Sequence, residues 1–394
     1  MTRKMKDIHR VITGSDSQGK SVVTWEGSAP GKHESHFPGR GHTDFWVWRE
    51  TPQPLNGKED AGMWHDEFPG PRPGGHLRVV HWLSKGDDPS KVPPIVAPHP
   101  PKVGAVAGNT QVVDGRSWDR GGGNNYCISD NHKTESVDFG IVLEGERIIV
   151  LDDYETAILP GDIVVQVGAW HLWDSSRIGC LMAFDMVSAR FHDDGKGLQQ
   201  GNDPVMLPNP NQKLPAGVKP QRRIVTIDKV EGLSTLVTDS FSPDVRTDPA
   251  RPGFAMQRVW VIDGHPAPIV SETLHLPYLL IPPVKGAVLN SYTIPPDSTW
   301  LGKAGVNEAK AYYASLNASS IATCGSMKDY PYSQKSKTLE FAIVTEGEIT
   351  LVLDQTETHL TAGEIGVIRG GNYAWSNRSD KPAVVVVATH DATD

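Results

Sequence analysis

Cysteine is scarce in this sequence. Cys127, Cys180 and Cys324 are the three among 394 residues, and an odd, scattered set gives no disulfide framework and reads as a reducing compartment. No apolar run approaches the length of a membrane span, and the start, MTRKMKDIHRVITG, lacks the apolar centre of a secretory leader. Lysine and arginine form no stripe interleaved with aromatics, and the formal net charge is −9. Nucleic acid is therefore not an expected partner. Phosphate-binding loops, dinucleotide fingerprints, G-x-S-x-G elbows and C-x-x-C pairs are missing too. The expectation left standing is a soluble, cytoplasmic protein with a small-molecule partner.

Glycine and proline are plentiful, 39 and 31 residues, and Val, Ile and Thr come in short runs, a pattern of many turns and strands with almost no long helix. The dominant feature is internal repetition. The run from His132 to Ser175 aligns without a gap on the run from Gln334 to Asn377, with 17 of 44 positions identical. Phe139/Phe341, Gly145/Gly347, Asp152/Asp354, Gly161/Gly363, Gly168/Gly370 and Trp173/Trp375 are among the matches. Repetition of this quality means duplication of a whole structural unit. Upstream preludes repeat as well: RVIT at Arg10 and SVVTW at Ser21 answer to RIVT at Arg223 and STLV at Ser234. The expected organisation is an N-terminal domain over 1–191, a Pro/Gly/Asn-rich linker over 192–221 and a C-terminal domain over 222–394.

Further strands are expected at TDFWVWRE from Thr43, HLRVVHWL from His76, RVWVID from Arg258 and VLNSYTI from Val288. The sequence VDFGIVLEGERIIVLDD reads as a hairpin turning at Glu144-Gly145-Glu146, and Pro160-Gly161-Asp162 as a second turn. The Pro-dense stretch Lys91–Val103 and the triplet Gly121–Gly123 read as long loops, either lids or packing excursions. Many short antiparallel strands in two like halves make the fold class all-β, two tandem double-sheet jelly-roll barrels.

The duplicated run resembles the cupin superfamily, specifically a bicupin. In the first of the family's two motifs, His132 and Thr134 occupy the two leading histidine positions, Asp138 the carboxylate position and Gly145 the closing glycine. The second motif places Gly161, Gly168 and His171, with Gln166 where the family has proline and Ser175 where it has asparagine. The resemblance is motif-rich over roughly fifty residues of each half, and the fold it implies hosts unrelated chemistries. Parity supports the grouping: on a strand, His132, Thr134 and Asp138 share one face while Glu135 points away. His171 arrives from another strand.

Two imidazoles and a carboxylate suit one divalent ion, with Fe(II) favoured and Zn, Mn, Ni or Cu also compatible. The bland alternative is a hydrogen-bonded polar pair with Asp138 fixing a tautomer. Thr134 cannot replace a histidine ligand but can orient a water or substrate oxygen. In the second copy Gln334, Ser336, Glu340 and Tyr373 stand at the four positions, a degenerate set expected to bind no metal. Tyr373 with Glu340 as a separate acid–base pair stays open. Trp173, Tyr126 and Arg78 are candidate pocket residues. Trp170 is expected to face outward, Cys127 is read as a structural thiol, and His42, His76, His81 and His192 as surface or core histidines.

The resemblance implies an enzyme acting on a small organic molecule, possibly aromatic or polyketide-like, in the N-terminal barrel, with an Fe(II) oxygenase or dioxygenase leading. Isomerisation, cyclisation or lyase chemistry by His/Asp acid–base catalysis, metal-free or with a redox-silent ion, is the alternative reading. A non-catalytic small-molecule-binding bicupin is the third. A homodimer is expected from the prevalence of cyclic dimers.

Overall fold

The computed structural model of the chain describes residues 4–35, 37–55, 60–65, 70–84, 111–113, 116–120, 129–191, 204–230 and 233–394. The Pro-dense stretch from Lys91, the glycine triplet, Tyr126, Cys127 and His192 lie outside them. The expected strands form: His9–Ser15, Ser21–Ser28, Gly41–Trp48 and Gly75–Trp82 in the first half, Arg222–Val230, Leu233–Phe241, Ala255–Ile262 and Ala287–Ile294 in the second. Nine strands make one large sheet and eleven the other. The fold is all-β, two jelly-roll barrels. Alternation along each strand sends one set of side chains, such as Phe139, Ile141 and Val165, into a continuous apolar core.

The halves do not each close their own sheet. His9–Ser15 runs parallel to Ile365–Ser376 of the second half, Arg10 opposite Ile365. Arg222–Val230 runs parallel to Ile163–Val167 of the first half, Ile163 opposite Arg223. Positions 163 and 365 are themselves related by the duplication, so the exchange is reciprocal and in one register. The division of the chain at 1–191, 192–221 and 222–394 is thus crossed by both sheets.

Identical residues pin the exchange at both ends. Asp152 accepts from the Ser234 backbone N–H at 2.7 Å and its hydroxyl at 3.1 Å. Asp354, its counterpart, accepts from the Ser21 backbone at 3.1 Å. Each exchanged strand also carries a fully buried arginine. Arg10 pairs with Asp60 at 2.9 and 2.5 Å, and Arg223 with Glu272 at 3.2 and 2.6 Å. A guanidinium out of water requires such bidentate pairing.

One expectation is corrected. Glu144-Gly145-Glu146 is not a hairpin. Ser136–Val150 is one strand of 15 residues, with register shifts on either side of Gly145. Gly145 has φ 82°, and a Cβ there would lie 1.7 Å from the Gly179 carbonyl oxygen. The glycine bends the strand from one face of the barrel to the other instead of reversing it. In the second half the strand does break, between Gln334–Glu346 and Glu348–Leu353. Helix is as scarce as expected; the longer of the two α-helices among the described residues, Val306–Ser315, starts where the Gly305 N–H bonds Glu308 Oε2 at 2.9 Å.

Candidate active site

The first barrel encloses a cavity of about 470 Å3, within the range of sites for drug-sized molecules. His132, Asp138, His171, Trp173 and Arg78 all line it. Thr134 does not. Its hydroxyl sits 2.8 Å from Ser136 Oγ, and both hydroxyls bond Asp138 from behind the wall. The bend at Glu135 interrupts the regular alternation, so Thr134 supports the carboxyl rather than facing the cavity. Glu135 points away as parity required, accepting the Phe191 N–H at 2.8 Å.

His132 and His171 are brought together by reciprocal backbone bonds of 2.9 Å, and their rings lie 4.4 Å apart. Each Nδ1 faces a backbone carbonyl, Asp130 at 2.7 Å and Ala169 at 2.9 Å. A carbonyl only accepts, so the proton of each neutral ring is on Nδ1 and the lone pair on Nε2. Burial lowers the pKa of both imidazoles. Burial raises Asp138 to about 7, opposed by the Ser136 and Thr134 hydroxyls and reinforced by the Asp185 charge. Asp138 Oδ1 is buried with no hydrogen-bond partner.

A second group lies at the rim of the same cavity, and the sequence reading missed it. His33 and His42 face each other across the hairpin of Gly31–Glu34 and Gly41–Trp48, Asp44 follows on the same face, and His65 comes from the segment after Ala61–Met63. Among the described residues, this is the group of His, Cys, Asp or Glu whose donor atoms all lie within 4.8 Å of one another. Asp44 is fully buried, and its Oδ2 is 2.9 Å from His65 Nδ1, 3.3 Å from His33 Nε2 and 3.9 Å from His42 Nε2. Arg78 Nε donates to Oδ1 at 2.9 Å, which orients the carboxylate. Burial, with Arg78 and the neighbouring imidazoles, pushes His42 down to about 2.

His42 is thus neither a plain core nor a plain surface residue, a correction to the reading from spacing. The legible signal was the His42-x-Asp44 pair on one strand face. His33 was hidden in a Gly/Pro/His-rich stretch and His65 followed no periodicity. Trp170 is also corrected. It is buried, with the Arg120 guanidinium 3.9 Å from its ring, because the exchanged strand's Asp228 takes its backbone N–H at 3.0 Å and draws it inward. His76 and His81 are buried, as core histidines.

In the second barrel the same four positions form a closed relay. Tyr313 donates to Gln334 Oε1 at 3.1 Å, Gln334 Nε2 to the Tyr373 oxygen at 2.5 Å, and Tyr373 to Glu340 Oε2 at 2.5 Å. Ser336 and Thr338 bond Glu340 as Thr134 and Ser136 bond Asp138. Tyr312 and Tyr313 of the helix, with Trp300 and Tyr332, pack into the barrel and leave about 50 Å3. An acid–base pair there has no room for a substrate.

Two duplicated jelly rolls exchange strands, and the first keeps side chains at motif positions 132, 138 and 171 around a cavity. The fold is bicupin-like. No family model matches the chain. Among curated proteins, the chain is similar to Phomopsin biosynthesis cluster proteins C' and D of Diaporthe leptostromiformis, each 56% identical over 43 residues, 11% of this chain and 23% of theirs. The aligned stretch thus spans less than a quarter of either relative. Solved structures it is similar to include a Cupin 2 conserved barrel domain protein from Leptotrichia buccalis, 7% identical over 82% of this chain and 86% of that one, TM-score 0.36. A salicylate 1,2-dioxygenase mutant from Pseudoaminobacter salicylatoxidans is 10% identical over 80% and 71%, TM-score 0.35. A Bacillus subtilis oxalate decarboxylase variant is 10% identical over 81% and 73%, TM-score 0.33.

Proposed function

We infer that the chain is a metal-dependent enzyme that converts a small organic molecule inside the N-terminal barrel, with O2-dependent oxidation at Fe(II) as the leading chemistry. The observation that carries the reading is the 470 Å3 cavity walled by four histidines, His33, His42, His132 and His171, with the Asp138 carboxyl among them. Trp173, Phe184 and Met186 give it an apolar side against which a flat substrate can lie. A divalent ion supplies Lewis acidity there and, as Fe(II), one-electron chemistry with O2.

The chain's own groups then bind and move protons. His132 and His171 present Nε2 lone pairs that accept from a substrate hydroxyl. Asp138, at about 7, holds a proton at its carboxyl or releases it near neutrality, the condition for general acid–base work. That property also favours the second reading, isomerisation or cyclisation with a redox-silent ion. An oxygen electrode separates the two. Protein purified without chelators, offered a panel of phenols and aromatic acids, consumes O2 in step with product in the first case. Product without O2 uptake supports the second. No product, and no transition metal beyond traces, contradicts both.

A further inference from the structure

We propose that the ion of the first barrel is held at its rim by His33, His42, Asp44 and His65, and not by the motif positions His132, Asp138 and His171. The assignment deepens the reading of the cavity as a metalloenzyme site and rests on it only for turnover, since ion binding is measured without substrate.

The geometry is the argument. Donor atoms around a tetrahedral ion at about 2.1 Å are about 3.4 Å apart. The three histidine nitrogens stand 2.9, 3.3 and 3.9 Å from Asp44 Oδ2, on both sides of that value, and all four donors fall within 4.8 Å of one another. Pairs spaced toward 4.8 Å close on one centre when their two donors together move by about 1 Å. Three elements contribute, the two strands of a short hairpin and the segment after a 3-10 helix, so the group is not a by-product of one helix face or loop.

The ion-free hydrogen bonds do not satisfy the cluster. Asp44 Oδ2 is shared among three rings, and His42 Nε2 is buried without any hydrogen-bond partner. A polar nitrogen in that state destabilises the fold unless something binds it. Behind the group, Arg78 holds Asp44 Oδ1, as outer partners hold ligating carboxylates elsewhere. Its positive charge opposes a cation, which places the expected affinity below that of a closed structural zinc site. His33 and His65 are 37% and 43% exposed, so an ion can enter from solvent. The Asp138 carboxyl then lies on the wall of the same cavity, free to serve the substrate.

The test uses the full chain with Zn2+ and Co2+ alone as probes, read by calorimetry and by the visible absorption of bound Co2+. His33→Gln and His65→Gln are the informative variants, because both side chains sit at the surface and their loss leaves the barrel core intact. Each is expected to bind about tenfold more weakly or worse, with the Co2+ spectrum changed. His132→Ala and His171→Ala are expected to bind as the parent does. Retention of the parent affinity and spectrum by both glutamine variants overturns the assignment. If the ion is instead lost in the His132 variant, the metalloenzyme reading survives at the motif positions. A parent that binds neither ion overturns the assignment and that reading together. Binding that follows the prediction while no turnover is found upholds the rim site and counts against the enzyme alone.

Discussion

The two barrels began as copies and now differ in what fills them. At position 171 the first has an imidazole and at 373 the second has a phenol. The phenol donates to Glu340, passes the relay to Gln334 and Tyr313, and becomes part of a packed interior with about 50 Å3 left. The imidazole keeps its lone pair and faces about 470 Å3. What the copies share is the support: a hydroxyl pair behind each buried carboxyl, Thr134 and Ser136 for Asp138, Ser336 and Thr338 for Glu340. The comparison teaches that the carboxyl and its backing belong to the scaffold, while the groups in front of it decide whether a barrel keeps a cavity or only packs.

Exchange of strands makes each barrel depend on the other half, and breaking one link tests that most severely. Lys133 and Asp228 pair at 3.1 Å, both side chains almost fully buried, across the exchanged strand of the first barrel. Asp228→Ala removes the carboxylate that pairs this buried ammonium and is expected to destabilise by about 3–5 kcal/mol. Chemical denaturation checks it, and a loss under about 1 kcal/mol would mean that the exchanged strand is not what closes the barrel.

Hollowing the second barrel comes next. Tyr313→Ala is expected to cost about 3 kcal/mol through the cavity it creates. Opening space does not restore imidazoles, so metal content and turnover should stay at the parent level. A gain of binding in the second barrel would show that filling, and not residue chemistry, silenced it.

Proton linkage distinguishes the carboxyl of the first barrel. Asp138 is raised from 3.8 to about 7 by burial. Its folded pKa lies above the unfolded one, so the stabilisation is complete below about pH 4 and lost as the pH rises through 7. Relative to Asp138→Asn, the parent is expected to lose on the order of 2 kcal/mol between pH 5 and pH 8. Parallel stability curves for the two proteins would contradict a proton held there. The smallest effect is Tyr373→Phe, about 1 kcal/mol, because Glu340 keeps its Ser336 and Thr338 bonds. Turnover by the first barrel should be unchanged in that variant.

Much of the scaffold was legible because duplication is a sequence-level property and strand alternation has a fixed period. Seventeen identities over an ungapped run identified the repeated unit, and the strands fell where Val, Ile and Thr alternate. Gly145 misled because glycine at positive φ serves a hairpin and a bent continuous strand equally well; the choice depends on Gly179, 34 positions away, whose carbonyl approaches too closely for any side chain. The strand exchange was invisible because RVIT and RIVT pair equally well with either copy of the strand near 163 or 365. At the site, His132, Asp138 and His171 were legible through the resemblance to the cupin motifs, and all three line the cavity. His33 and His65 were not, since they meet Asp44 through a hairpin and an irregular segment whose proximity has no period.

The most direct test of the account is element-specific anomalous diffraction from a crystal grown with Zn2+ or Fe2+. The account predicts one peak, about 2.0–2.2 Å from donor atoms of His33, His42, Asp44 and His65, and none in the second barrel. A peak centred among His132, Asp138 and His171, or one beside Glu340 and Tyr373, would contradict it.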